Sequence, residues 1–260
     1  MIPKIIHYCW FGGNPIPDDV RKCIESWKKF CPDYEIKEWN ESNFDVNCCD
    51  YTKEAYQAKK WAFVTDYVRL YVLNKYGGIY VDTDVELIEN IDDFLCDTAF
   101  TGFEDERSAV TGIIGSVKNS EFTDYLLSYY NDVHFISPNG SLNLKTNTST
   151  ITEMLVAKYG VLLNNEFQNF KNKFVLYPKE YFCPKNHTTG NIELTNKTVC
   201  IHHFGGTWYS DEQREAARLK KKFTKIFNHK VSIYIAQFIA WCKYRGIINT
   251  LKLLLSKKGK

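Results

Sequence analysis

Two periods of hydrophobic and polar positions alternate along the chain. Residues 4–11 are a nearly unbroken apolar run closed by Gly12-Gly13, and they predict a buried strand. From 18 to 30, Val20, Ile24 and Trp27 recur at helical spacing, with Asp18 and Asp19 as candidate caps. Cys31-Pro32-Asp33 predicts a turn, and residues 34–39 alternate as a second strand would. Strand, helix and strand at this spacing predict a parallel sheet covered by helices. One long helix is expected over 53–76, where Ala62, Val64, Tyr67, Val68, Tyr71 and Val72 share a face. Gly77-Gly78 ends it, and Ile79-Tyr80-Val81 follows as a strand that delivers Asp82-Thr83-Asp84 at its carboxyl end. Further strands are expected at 99–103, 111–117, 174–177 and 199–203, and helices at 121–130 and 151–159. Residues 139–150 read as a polar loop, and from 211 onward the chain becomes helical and basic. Neither an internal repeat nor a Pro/Gly/Ser linker interrupts this order.

Composition places the chain among globular proteins, with 44% hydrophobic and 25% charged residues. Aromatic residues reach 15%; most such rings build cores, but flat amphipathic rings also stack on bases and sugars. The start, Met1-Ile2-Pro3-Lys4, lacks the charged region and cleavage site of a secretory signal, so none is expected. No run of about 18 apolar residues predicts a membrane span. Nine cysteines without CxxC spacing predict reduced thiols in a cytoplasmic protein, with neither a disulfide framework nor a zinc site. The net charge of +2 hides a split. From Arg214 to Lys260 there are 13 basic residues and one acidic, against 20 and 30 in the rest, which gives a tail near +12 on a body near −10. Such asymmetry predicts a basic appendage with an anionic partner.

Asp82 and Asp84 stand two apart, so on an extended backbone both side chains face one side. Adjacent carboxylates repel unless a cation or shared proton neutralises them. Ligands of open α/β sheets bind beyond the carboxyl ends of strands, where this pair is expected. Oxygen ligands suit Mg²⁺ or Mn²⁺, which would keep positions open for diphosphate oxygens. A solvated acidic turn gives the same local pattern. So does a haloacid-dehalogenase-type phosphatase, in which the first Asp is a nucleophile. That class carries Thr or Val two residues past the second Asp, where this chain has Glu86, and its motif tends to follow the first strand.

Asp66 and Arg69 lie one helical turn apart on the helix that feeds this strand. Such a pair is commonly a surface ion pair. Here it can instead face the aspartates, the Asp accepting from sugar hydroxyls and the Arg offering a donor fork. Together, Ala62-Phe63-Val64-Thr65-Asp66-Tyr67-Val68-Arg69 and Tyr76-Gly77-Gly78-Ile79-Tyr80-Val81-Asp82-Thr83-Asp84 resemble the sugar-binding D-x-D region of glycosyltransferase family 32. They are similar also to the catalytic domain of large glucosylating bacterial toxins. Ile2 to Gly13 resembles the family's opening strand, and His202-His203-Phe204-Gly205-Gly206-Thr207-Trp208 its late His-His…Ser-Trp motif, with Thr207 for the usual Ser.

The resemblance implies a GT-A fold, an α/β architecture whose Rossmann-like mixed sheet is flanked by helices, and transfer that retains anomeric configuration. It implies a nucleotide-sugar donor, a UDP-hexose first and GDP-mannose second, and a glycan, protein or lipid-linked acceptor, with surface (capsular) polysaccharide synthesis as the setting. By this likeness Asp84, Asp82 and His203 hold Mn²⁺ or Mg²⁺, and His202 points away. Trp10 stacks on the base beside Gly12, Asp66 and Arg69 hold the sugar, and Thr207 and Trp208 close over the donor. Glu104 or Asp105 faces the acceptor. A non-catalytic carbohydrate-binding protein is the remaining reading, one that intact Asp66, Arg69, Asp82 and Asp84 argue against.

Residues 1–210 are thus expected to form the catalytic domain and 211–260 a basic, amphipathic helical tail. Val231 to Cys242 is mostly apolar and flanked by cations, which fits a helix lying on an anionic membrane surface, such as the inner face of a plasma membrane, better than one spanning it. Packing of the tail on the body accounts for the same pattern. No nucleic-acid-binding motif accompanies the basic charge.

Overall fold

β1 (Ile5–Cys9), α1 (Asp18–Phe30) and β2 (Glu35–Trp39) form the expected strand–helix–strand unit, and β1 pairs with β2 in parallel. The computed structural model describes residues 1–206 and 211–257. Asp18 and Asp19 sit in the first turn of α1, where the helix dipole favours negative charge, and Pro17 takes the cap position.

The long helix expected over 53–76 is two: α2 (Asp50–Gln57) and α3 (Trp61–Tyr76). Lys59 adopts a left-handed conformation, φ 55°, between them, and neither Gly nor Pro marks the break in the sequence. Gly77 (φ 69°) ends α3 and Gly78 (φ 112°) opens β3 (Gly78–Val81). A Cβ on Gly78 would lie 2.7 Å from the Ile5 carbonyl oxygen and 2.9 Å from His7 Nε2, so only glycine fits this crossing.

β4 (Val85–Leu87) follows, then β5 (Ala99–Gly102), β6 (Ile113–Ser116), α4 (Glu121–Ser128) and α5 (Asn147–Tyr159). α5 begins inside the stretch read as a polar loop, because Thr146 caps it by accepting from the Ser149 N–H. β7 (Gln168–Phe170), β8 (Phe174–Tyr177), α6 (Lys179–Phe182) and β9 (Cys200–His202) complete this part.

The main sheet runs β2-β1-β3-β6-β5-β8-β7. Pairing is parallel at β1/β2, β1/β3 and β5/β8, and antiparallel at β3/β6, β5/β6 and β7/β8. The sheet is therefore mixed, as the family resemblance implied, and not wholly parallel as the first βαβ unit alone suggested. Side chains alternate across it. Ile6, Ile79, Val81 and Ile113 pack with Val20, Ile24 and Trp27 of α1, while Tyr80 and Ile114 pack with Val64, Val68 and Val72 of α3. Helices thus cover both faces. All nine cysteines are free thiols.

By internal contacts the chain forms two units, Met1–Lys185 with Ile192–His203, and Asn186–Asn191 with Phe204–Lys260. The second unit holds α7 (Asp211–Phe223), α8 (His229–Arg245) and α9 (Ile247–Lys257). Among the described residues no helix is long and apolar enough to cross a membrane.

Candidate active site

Strand directions gather the chemistry on one sheet edge. β1 runs parallel to β3, β6 runs against β3, and β5 runs against β6. The carboxyl ends of β1, β3 and β5 and the amino end of β6 therefore coincide. β1 lies between β2 and β3, so successive connections leave it in opposite directions, the topology that opens a crevice above such strands. Trp10, Asp82, Glu104 and Gly112 all follow or precede these strand ends.

Asp82-Thr83-Asp84 is not extended. β3 stops at Val81, and the Val85 N–H donates to the Asp82 carbonyl at 3.0 Å, which closes a tight turn. Strand alternation is therefore the wrong reason for the two carboxylates to converge; the turn does it. Gly112 accommodates the turn. Its carbonyl accepts from the Asp82 N–H at 2.7 Å, and a Cβ there would sit 3.0 Å from Asp82 Oδ2 and 2.9 Å from Val85 Cγ2.

A two-stranded ribbon brings in the third group. β4 pairs antiparallel with β9, Val85 opposite His202. His202 Nε2 lies 3.3 Å from Asp84 Oδ1, and one ligand atom from each of Asp82, Asp84 and His202 falls within 4.8 Å of the others. His203, the expected ligand, turns the other way: its Nε2 meets Glu86 Oε2 at 2.8 Å, while its N–H donates to the Asp84 carbonyl. The two histidines thus exchange places relative to the expectation. His202 ends β9 and His203 follows it on the opposite side, so the register of the short ribbon decides which one faces the aspartates. Burial would lower the His202 pKa, but Asp84 and Asp82 outweigh it and hold the imidazole well above its ordinary value.

Asp66 and Arg69 of α3 are both buried, 7% and 8% exposed, and face this centre. Arg69 Nη2 lies 3.1 Å from Asp66 Oδ1 and 3.2 Å from Asp82 Oδ1, and Nη1 reaches Asp82 Oδ2 at 3.4 Å. Tyr80 supports the cluster from below. Its ring lies 4.8 Å beneath the guanidinium and its hydroxyl donates to Asp82 Oδ1 at 3.1 Å. Burial, with Asp82's charge adding and Arg69 opposing, lifts Asp66 to about 7. One guanidinium thus serves a buried carboxylate, Asp66, and a part-buried one, Asp82. Arg69 Nε is buried with no acceptor among the described residues.

Glu104 and Asp105 divide. Glu104 Oε2 lies 3.8 Å from His202 Nδ1, and burial first, then the surrounding carboxylates, raises its pKa to about 7 against the pull of His202. Asp105 instead accepts from the Arg107 N–H and shapes its own turn. Trp10 is half-buried, its indole N–H donating to the Asn14 carbonyl at 2.6 Å. The Gly12 N–H donates to Glu41 Oε1 at 2.7 Å, and the Trp61 indole lies directly against Gly12. Thr207 and Trp208 lie outside the described residues. Tyr80 and Gly112 were missed from sequence. Tyr80 stands two before Asp82 and so shares its side of the strand, a signal that was available; Gly112 acts only through the β3/β6 register, which was not.

Residues 17–101 match the family described as the glycosyltransferase sugar-binding region containing the DXD motif. The chain is 29% identical over 163 residues to an uncharacterised glycosyltransferase of Acanthamoeba polyphaga mimivirus, covering 58% of this chain and 62% of that one. It is 32% identical over 125 residues to inositol phosphoceramide mannosyltransferase 3 of Schizosaccharomyces pombe, covering 46% and 35%. It therefore spans less than two thirds of either relative's length. Among solved structures it is similar to the PaToxG glycosyltransferase, with TM-score 0.45, 20% identity and coverage of 61% of this chain and 70% of that one. The chain thus carries the DXD sugar-binding region of the glycosyltransferases, of the family 32 type that its sequence resembles.

Proposed function

We propose that the chain is a metal-dependent, retaining glycosyltransferase that moves a hexose from a nucleotide-sugar donor, a UDP-sugar first, to a glycan or lipid-linked acceptor. The observation that carries this reading is the convergence of Asp82, Asp84 and His202 on one point at the carboxyl end of β3. Ligands bound side by side on an ion at 2.1–2.2 Å lie about 3 Å apart, close to the 3.3 Å between His202 Nε2 and Asp84 Oδ1. Two oxygens and an imidazole nitrogen favour Mn²⁺ over Mg²⁺. Such an ion neutralises the donor's diphosphate and stabilises it as a leaving group.

The remaining roles follow from the protein's own groups. Asp82, held by Arg69 and Tyr80, is the less available of the two aspartates, which makes Asp84 and His202 the main ligands. Asp66 and Arg69 hold sugar hydroxyls in reactive orientation, and a hydroxyl or phosphate oxygen at Arg69 Nε would satisfy its buried N–H. Trp10 is the base-stacking residue. Glu104, of the two acceptor candidates, is the one turned toward the centre. A phosphatase would need Asp82 as a nucleophile, yet both its oxygens contact Arg69, which withdraws the electron density such a step requires. The mannosyltransferase relative carries a lipid acceptor in its name, which supports a lipid-linked acceptor here. Polysaccharide synthesis at the cytoplasmic side of a membrane is the setting we infer.

A panel of UDP-, GDP- and CMP-sugars, each with and without Mn²⁺, tests the reading by thermal shift and by donor hydrolysis. A Mn²⁺-dependent rise in Tm and slow hydrolysis with one nucleotide-sugar class are expected. Hydrolysis of a phosphate monoester with no response to any nucleotide-sugar would overturn it.

A further inference from the structure

Within the second unit, α8 packs against α7 in an unusual sense. The residues that α8 buries are small: Ser232, Ala236 and Ala240, at positions i, i+4 and i+8. The large apolar residues face out. Val231, Tyr234 and Phe238, at i, i+3 and i+7, form an exposed stripe, with Tyr234 77% exposed. Ile226 and Phe227, in the connection between α7 and α8, are exposed beside it, Ile226 by 71%. On α9, Ile247, Leu251 and Leu254 repeat the outward stripe at i, i+4 and i+7, and Ile248 is 71% exposed. α8 alone is about 25 Å long. Large apolar side chains exposed at helical spacing on two consecutive helices mark a partner rather than scattered surface residues.

Charge identifies the partner. Exposed Lys221, Lys222, Lys225 and Lys230 flank Ile226 and Phe227, and Lys252 lies within the α9 stripe. Of the few acids in this unit, Glu215 is already held by Arg218 and Lys243, and Glu212 by Arg245. The excess is therefore positive on the same body that exposes the apolar stripe. A second copy would bring a tail with the same 13 basic residues and one acid, and repel. Nucleic acid would use the lysines and leave Tyr234, Phe238 and Ile248 in water. An anionic bilayer takes both: headgroups meet the lysines and the acyl boundary receives the apolar side chains.

We propose that α8 and α9 form a docking surface for anionic lipid bilayers, with Phe227, Tyr234 and Phe238 inserted at the interface and Lys221, Lys222, Lys225 and Lys230 on the headgroups. The proposal does not depend on the transferase reading, and vesicle binding is read without it. The experiment is flotation of the full chain with vesicles of 30% phosphatidylglycerol in phosphatidylcholine, with pure phosphatidylcholine vesicles alongside, at 0.1 and 0.5 M NaCl. Partitioning onto the anionic vesicles is expected, several-fold weaker at 0.5 M salt and at least tenfold weaker on pure phosphatidylcholine. A Phe227→Ser, Tyr234→Ser, Phe238→Ser variant is expected to lose at least tenfold at 0.1 M salt, and so is a variant with Gln at 221, 222, 225 and 230. Helical circular dichroism, unchanged in both, reports that the unit remains folded. Absence of flotation by the unmodified chain would overturn the proposal. So would a serine variant that floats as the unmodified chain does, whether or not sedimentation shows that the substitutions dissociate a dimer.

Discussion

In the first unit Trp27, Phe100, Phe122 and Phe174 are fully buried between sheet and helices, whereas α8 of the second unit buries Ser232, Ala236 and Ala240 and leaves Tyr234 and Phe238 in water. Charge reverses along with burial. The body is acidic and concentrates Asp66, Asp82, Asp84 and Glu104 at one sheet edge, while the residues from 214 onward are basic and spread their cations over helix surfaces. Each buried aromatic side chain contributes about 1.5–3 kcal/mol, which helps to offset the cost of holding like charges together. The second unit lacks that core, and its large side chains become useful only against something else. On the functions proposed above, one part of the chain serves a small anionic ligand bridged by a cation, the other an extended anionic surface.

The largest expected effect separates these two roles. Asp84→Ala removes the carboxylate nearest His202 and should lower nucleotide-sugar hydrolysis in Mn²⁺ on the order of a thousandfold, about 4 kcal/mol of barrier. Its thermal stability should change little, because relief of the like charge beside Asp82 is offset by loss of the carboxylate that pairs with buried His202. Vesicle flotation should not change. An Asp84→Ala protein that keeps full hydrolysis would dissolve the site, and one that loses flotation would dissolve the division of labour between the units.

Acid should separate the units next. His7 on β1 is fully buried; its Nε2–H donates to the Gly77 carbonyl and its Nδ1 accepts from the Trp39 indole. Burial depresses its pKa to about 4. The folded state therefore holds a neutral imidazole where the unfolded chain, near 6.5, takes up a proton. This contribution is complete above pH 6.5 and fades as pH falls toward 4, on the order of 3 kcal/mol in all. In the second unit the shift belongs to carboxylates and the window lies lower. Glu215, hydrogen-bonded to Arg218 and Lys243, is lowered to about 2, so those pairs persist above pH 4.5 and fail only as pH falls toward 2. Asp66 and Glu104, raised to about 7, oppose this in the same unit by taking up protons in the folded state first. The His7 contribution is therefore read as the part of the first unit's urea stability, between pH 6.5 and 4, that a His7→Gln variant no longer shows. A His7 ring resonance that titrates near 6.5 would remove the physical basis of the contrast.

What the sequence disclosed of this arrangement follows the range of the forces involved. α1, β2 and β8 were legible almost to the residue because each carries its own local period and turn residues. The gap between α2 and α3 was not, since Lys59 adopts a left-handed conformation with no glycine to announce it. β4 and β7 are three residues each, too short to show alternation. At the site, Asp66, Arg69, Asp82 and Asp84 were found because an i,i+3 helix pair and a two-residue repeat are local patterns. The choice between His202 and His203 was not local. It depends on Val85 lying opposite His202 across a ribbon whose strands are more than a hundred residues apart, and a shift of one residue would exchange them.

That choice yields the smallest and sharpest test, placed at the last residues of the first unit. His202→Gln keeps a polar side chain but loses the imidazole nitrogen facing Asp84. It should weaken Mn²⁺-dependent donor binding ten- to a hundredfold, about 1.4–2.8 kcal/mol. His203→Gln leaves its backbone N–H on the Asp84 carbonyl and disturbs only a part-exposed pair with Glu86. Such pairs are worth at most about 1 kcal/mol, so donor affinity should change by less than about fivefold. Isothermal titration of Mn²⁺ with a nucleoside diphosphate reads both variants directly. Equal losses would mean that the ribbon rearranges when the donor binds, and a larger loss at His203 would return the third ligand to the residue that the family resemblance first implied.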